Sequence, residues 1–294
     1  MKPTFAHTLV PPRYGTATSR KVNQAPVVAI TSGKGGVGKT HIVANLAALL
    51  ALSNKRVMVI DADLGLANLD LLFGVRPRYT LADFLTGQVA LDEIIISNRN
   101  GILLLPGACG VQEVTVLRND QKIALLTELD ALRHEVDLVL VDTGSGISDA
   151  VTYFASSAQE ILVVVTPEPS SLSDAYALIK VLASGHHEKR FHILANKVSD
   201  KADACRLFDA LSGKALQFLN AALDLFGWIP YDPRLIQVVS RSQLIVTEAP
   251  DAPSAKAFTV ITERLIEMTS DRIRIKGNPQ FFFRRVLEGD RAGK

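Results

Sequence analysis

The sequence predicts a single three-layer α/β domain, with a mostly parallel sheet covered by helices on both faces. Three observations predict it. The strand-like runs are apolar without alternation, the pattern of strands buried on both faces. Strand and helix patterns alternate along the chain, which calls for parallel pairing through helical crossovers. A glycine-rich loop also stands between the first strand and the first helix. In order, apolar runs at 27–30, 57–60, 102–105, 138–141, 161–165, 191–194 and 228–229 read as strands. Helical patterns fall at 41–52 and near 121–133, 172–183, 201–226 and 253–269. The polar stretch 185–189 reads as a connection, and neither an internal repeat nor a low-complexity segment interrupts the pattern.

The chain has 294 residues, 48% of them hydrophobic, enough to bury one large core. Its two cysteines, Cys109 and Cys205, are far apart and form no C-x-x-C, so neither a disulfide framework nor a zinc site is expected and a reducing cytoplasm fits. No leader pattern and no apolar run of bilayer length is expected either. The net charge of +2 is uneven: residues 1–25 carry +4, residues 271–294 carry +4, and the body between carries −6. Three parts are therefore expected: a basic, flexible segment 1–25, a folded domain 26–270, and a basic tail 271–294. An acidic body argues against nucleic acid as a partner.

The sharpest motif is Gly33-Lys34-Gly35-Gly36-Val37-Gly38-Lys39-Thr40, a complete G-x-x-x-x-G-K-[ST] in the strand–loop–helix context that a phosphate loop requires. Its glycines let backbone N–H groups turn inward onto phosphate oxygens, and the helix N-terminus adds partial positive charge. Lys39 is expected on the β- and γ-phosphates, Thr40 on Mg²⁺, and the His41 backbone N–H on phosphate. The nucleotide set is thus Gly33, Lys34, Gly35, Gly36, Val37, Gly38, Lys39, Thr40 and His41. Two further strands end in carboxylates. Asp61 closes the second strand, with Asp63 two residues on, and Asp142 closes the run 138–141 in the Walker B pattern that holds Mg²⁺. Thr143-Gly144-Ser145-Gly146 follows, flexible enough to move with a γ-phosphate.

The early Lys34 is not needed by an ordinary phosphate loop. The string from Lys34 to Thr40 resembles the deviant Walker motif of MinD/ParA ATPases, and 61–70 resembles the MinD switch segment. That resemblance spans about residues 26–270. It implies that ATP with Mg²⁺ holds two copies together, with Lys34 crossing to the partner's nucleotide. It also implies that Asp63 positions the hydrolytic water, making Asp63, Lys34 and Lys39 the catalytic set. The metal set it implies is Thr40, Asp61 and Asp142, and it places adenine beside Asn196 and Pro230. The strings 105–113, 142–149 and 166–180 resemble the FlhG (FleN, YlxH) branch, which regulates the number and placement of flagella. The branch implies the GTPase FlhF and flagellar switch or regulatory proteins as partners. The D-Q-A-x-x-L-R motif of many members is not found in residues 1–25, and His41 stands where many relatives have a hydroxyl residue.

In the tail, Phe282, Phe283, Val286 and Leu287 share one face of a helix at 100° per residue, with Arg284, Arg285 and Glu288 opposite and Phe281 on the polar side. Such a basic amphipathic helix suits the inner face of the cell membrane, giving a cytoplasmic protein that is reversibly peripheral. A division-site MinD or a ParA-type positioning ATPase is the alternative. An iron–sulfur reductase of the same fold would need cysteines meeting across a dimer, and a tyrosine kinase of this lineage would need tyrosines after Tyr231, where the sequence has none.

Overall fold

The structure is a computed structural model that describes residues 25–65, 67–98, 100–108, 117–132, 136–270 and 280–281. The strands are β1 (Val27–Ser32), β2 (Val57–Ala62), β3 (Ile96–Ser97), β4 (Leu103–Leu105), β5 (Leu138–Ser145), β6 (Glu160–Val165), β7 (Arg190–Val198) and β8 (Ala222–Pro230). The longer helices are α1 (Lys39–Leu52), α5 (Asn119–Ala131), α6 (Asp149–Ser156), α7 (Pro169–Gly185), α8 (Lys201–Leu219) and α11 (Pro253–Ser270). Short ones are α2 (Leu69–Phe73), α3 (Leu81–Leu85), α4 (Leu91–Ile94), α9 (Pro233–Val239) and α10 (Ile245–Glu248).

The sheet runs β3-β4-β2-β5-β1-β6-β7-β8, parallel throughout except for the short edge pair β3 and β4. Alternate residues of each strand feed two separate cores. Val27, Ala29, Met58, Ile60, Val139 and Val141 face α5, α6, α7 and α8, while Val28, Ile30, Val57, Val59, Leu138 and Leu140 face α1, α10 and α11. The predicted three-layer α/β domain is therefore the observed one. β1 lies between β5 and β6, and the chain leaves it toward β2 on one side and reaches β6, β7 and β8 on the other. The crevice at the C-terminal end of β1 is thus the place where such sheets bind ligands.

One boundary differs from the pattern. The helix expected over 201–226 stops at Leu219, because Asn220 adopts a left-handed conformation at φ 47° and ends it. Residues 222–230 then form an edge strand, of which 228–229 was expected, and its mostly apolar run is continuous in sequence with the helix pattern before it.

The base of the sheet, opposite the crevice, is closed by polar contacts. His192 on β7 places Nε2 3.0 Å from Glu160 on β6 and Nδ1 2.7 Å from Asp224 on β8. Two carboxylates on one ring favour the imidazolium form. Burial alone would push the His192 pKa down, but the bonds to Asp224 and Glu160 outweigh it and raise the value. Arg264 of α11 covers the Phe226 ring at 4.9 Å and donates to the Leu225 and Phe226 carbonyls.

Within the stretch 271–294, Phe281 packs on the body. It is fully buried, edge-on to Tyr153 and 5.9 Å from Phe154, and its N–H donates to the Ser157 carbonyl (2.9 Å). The Gln159 amide donates to the Phe281 carbonyl, and its other end accepts from the Val27 N–H at the foot of β1. Phe281 departs from the amphipathic pattern because it belongs to the core. The proposed lipid face, Phe282, Phe283, Val286 and Leu287, lies outside the described residues, as do Cys109 and residues 1–24.

Candidate functional site

The loop 33–40 turns from β1 into α1 at the mouth of the crevice. Gly33 lies so close to α7 that a Cβ there would stand 2.1 Å from the Asp174 backbone. Gly36 and Gly38 have φ of +76° and +98°, where a side chain would be strained. The loop thus has the cradle of backbone groups that its sequence required. Lys39 is buried at 8% exposure, and its ammonium donates to Ser32 Oγ at 2.9 Å. Burial pushes its pKa down, partly offset by the negative charges of Asp142 and Asp63.

Across the crevice floor, Asp61 on β2 and Asp142 on β5 are register partners on neighbouring strands. Both are buried. Burial raises the Asp61 carboxyl to about 7, although it accepts N–H bonds from Asp63 and Leu69 and so orders the segment after β2. Burial, and next the Asp61 charge, push Asp142 well above the ordinary range, eased by the Thr40 hydroxyl and Lys39 beside it. Neither carboxylate oxygen of Asp142 makes a well-formed hydrogen bond. A buried carboxylate without a well-formed hydrogen bond, beside a hydroxyl and a second carboxylate, is a donor set of hard oxygens, and it fits a divalent cation such as Mg²⁺. Asp63 is partly exposed and faces the C-terminal end of β5. A Cβ on Gly144 would lie 3.6 Å from its Oδ1.

The structure brings the other expected residues together, with one change of emphasis. Asn196 pairs with Ile229 and Val198 with Pro230, which puts Asn196 and Pro230 on neighbouring strands at the rim of the crevice. Asn196, however, spends an amide N–H on the Val37 carbonyl (2.7 Å) and braces the loop. His41 has a buried Nδ1 without a partner, and burial pushes its pKa down. Lys34 does not enter the cradle. Its ammonium binds Glu168 and Ser170 at the start of α7, the latter at 2.8 Å, and remains about one-third exposed. Glu168 and Ser170 lie within the string 166–180 and Lys197 directly follows Asn196, but their contacts, such as the Lys197 bond to the Gly36 carbonyl at 3.0 Å, and that of Ser32 with Lys39, carry no motif of their own. The available signal was their position, just after or at the C-terminal ends of parallel strands.

The fold and this site define a P-loop NTPase, and the chain belongs to the ParA/MinD family of these proteins. The ParA family model, described as NUBPL iron-transfer P-loop NTPase, matches residues 23–266. Within the family the chain falls with the FlhG branch. It is similar to the antiactivator FleN of Pseudomonas aeruginosa, 37% identical with 91% of this chain and 95% of that one covered. It is also similar to the flagellum site-determining protein YlxH of Helicobacter pylori, at 32% with 89% of each covered. Among solved structures, it resembles the septum site-determining protein MinD of Pyrococcus horikoshii in complex with Mg-ADP. The TM-score there is 0.67 at 26% identity, with 86% of this chain and all of that one covered. The protein is an ATPase that uses ATP and Mg²⁺. Among the described residues, no helix is long and apolar enough to cross a membrane.

Proposed function

We propose that this ATPase is a dimerising switch that regulates flagellar number or placement and cycles between the cytoplasm and the inner face of the cell membrane. The observation that carries the reading is the position of Lys34. An ordinary loop lysine would lie in the cradle, but Lys39 already fills that role against Ser32. Lys34 stands at the rim, held on an exposed carboxylate, where a second copy facing the crevice could take it. Such a pair costs little to break, since exposed ion pairs are worth about 0–1 kcal/mol.

In this reading the loop N–H groups, Lys39 and His41 bind the phosphates, with Asn196 and Pro230 at the adenine side. Thr40 and Asp142 would hold Mg²⁺, with Asp61 supporting them and ordering the 63–69 segment. Bound there, the ion neutralises phosphate charge. Asp63, facing Gly144, orients the attacking water. Loss of the γ-phosphate removes the anion that draws in the partner's Lys34, and the dimer parts.

Similarity to FleN and YlxH favours flagellar control, with FlhF and flagellar switch or regulatory proteins as partners, over a division-site or ParA-type role. Light scattering of the full chain in ATP, ADP and no nucleotide tests the switch. We expect monomers in ADP and a lasting dimer for Asp63→Ala in ATP, and a mass that ignores nucleotide would sink it. Membrane contact is tested with anionic liposomes and a chain ending at Phe281, which keeps the buried anchor. Binding equal to the full chain's would remove the lipid face 282–287. Deletion in the native host then separates flagellar from division phenotypes.

A further inference from the structure

Only Gly146, Ile147 and Ser148 separate the end of β5 from the start of α6. The first turn of α6 reaches the site directly. A Cβ on Gly144 would lie 3.4 Å from Val151 Cγ2 and 3.6 Å from Asp63 Oδ1, so Gly144 fills the gap between α6 and that carboxylate. Gly146 adds a second link. It stands at φ 92° and donates its N–H to the Ser32 carbonyl at 3.0 Å, beside the phosphate loop. The position of α6 therefore decides where the end of β5 stands opposite Asp63.

That position is set from outside the crevice by Lys122 of α5. The Lys122 ammonium lies 2.7 Å from Oδ2 of Asp149, the first residue of α6. It also lies 5.4 Å from the centre of the Tyr153 ring, and the Tyr153 hydroxyl donates to the Lys122 carbonyl at 2.9 Å. Residues four apart share a helix face, so Asp149 and Tyr153 grip one lysine at its two ends. α5 is itself fixed. Leu125 and Leu129 are fully buried, and the Gln121 amide donates to the Leu85 carbonyl of α3 at 2.8 Å. Asp149 is half exposed, and a pair of this kind contributes little to folding. What it supplies is direction, because it holds the end of α6 that packs on Gly144.

We propose that Lys122 is a positioning residue for ATP hydrolysis. By holding Asp149 it fixes α6 against Gly144, and so fixes the end of β5 opposite Asp63. A displacement of about 1 Å far from the reacting atoms can slow a reaction by on the order of a hundredfold. The groups that grip phosphate, the loop N–H groups and Lys39, stand between β1 and α1 and are not held by this pair, so nucleotide binding should survive its loss. This rests on the role proposed above for Asp63 and adds to it a residue outside the crevice.

The test is a double-mutant cycle on the full chain, with wild type, Lys122→Met, Asp149→Asn and the double variant. Phosphate release at saturating Mg²⁺-ATP gives kcat, and calorimetry gives the Kd for Mg²⁺-ADP. The rates are read where light scattering shows the wild-type mass in ATP, so that loss of a dimer is not taken for loss of hydrolysis. Each single variant is expected to lower kcat about tenfold, with KM and the ADP Kd within about twofold of wild type. The double variant should be no slower than the slower single one, since both remove the same link. Lys122→Arg, which keeps the charge, should recover most of the rate. Asp149→Asn, at a half-exposed position, carries the test if Lys122→Met does not fold. A pair that only braces the fold would lower Tm and leave kcat alone, so an unchanged kcat in Asp149→Asn overturns the proposal. So do single losses that multiply in the double variant, an ADP Kd that weakens in step with kcat, and a folded variant that cannot reach the wild-type mass. If Asp63→Ala hydrolyses ATP like wild type, the role of Asp63 falls and takes this inference with it. An inactive Asp63→Ala beside an unaffected Asp149→Asn removes this inference alone.

Discussion

The two ends of the sheet bury charge in opposite ways. At the base, His192 is clasped by Glu160 and Asp224, and Arg264 completes the group. The members stand within ion-pair distance of one another with opposite charges facing, and the cluster joins three strands. At the crevice, Asp61 and Asp142 lie side by side, buried, with Asp142 lacking a good hydrogen bond. The first arrangement is balanced, and so finished, by the chain's own charges, whereas the second, in the function proposed above, is balanced by a cation and a phosphate. Buried charge therefore marks function only where it is left incomplete.

That contrast can be broken by the sign of a mutation's effect. At the finished end, any removal should destabilise. Phe281→Ala, which empties the slot beside Tyr153 and Phe154, should cost about 3–5 kcal/mol and lower Tm by roughly 10 °C. A shift below about 2 °C in calorimetry would mean that the anchor is not part of the core. At the unfinished end, removal should help the empty protein. Asp142→Asn takes away a buried charge without a well-formed hydrogen bond, so the ligand-free chain should melt roughly 2–6 °C higher. The same variant should lose the gain of about 2.7 kcal/mol that Mg²⁺-ATP gives wild type at a hundredfold excess over Kd. A lowered melting temperature without ligand would show that Asp142 is already compensated.

The smallest effect concerns pH. Against the effect of burial, the bonds to Asp224 and Glu160 raise the folded pKa of His192 above the ordinary imidazole value of 6.5. The stabilisation from its charged form is therefore fully present below pH 6.5 and is lost as pH rises through the higher folded value. Asp224 is held down chiefly by the His192 hydrogen bond, against the effect of its burial, so its share is lost only in acid as pH falls below 3.8. His192→Gln should lower Tm by a few degrees at pH 5.5 and by less at pH 8.5, with nucleotide affinity unchanged. A difference that grows with pH would reverse the assignment.

The unfinished end was the more legible one in the sequence. Its residues must be of fixed type at fixed spacing, so Gly33–Thr40, Asp61, Asp63 and Asp142 could be read without coordinates. Glu168 and Lys197 were not legible in this way, because their roles depend on loops brought together from more than a hundred residues away. The finished end was nearly silent. His192, Glu160 and Asp224 sit on three strands and follow no motif. Most of the strand that carries Asp224 read as helix because its apolar residues follow directly on those of α8, with only Asn220 to mark the break. Phe281 gave a signal that could only be seen as an irregularity, one aromatic ring out of phase with its neighbours.

Gln159 holds Val27 with one end of its side chain and Phe281 with the other. The foot of β1 and the Phe281 anchor thus share one clasp, on the pole that faces away from the crevice, so losing the Gln159 side chain would loosen both at once and leave the nucleotide pole untouched.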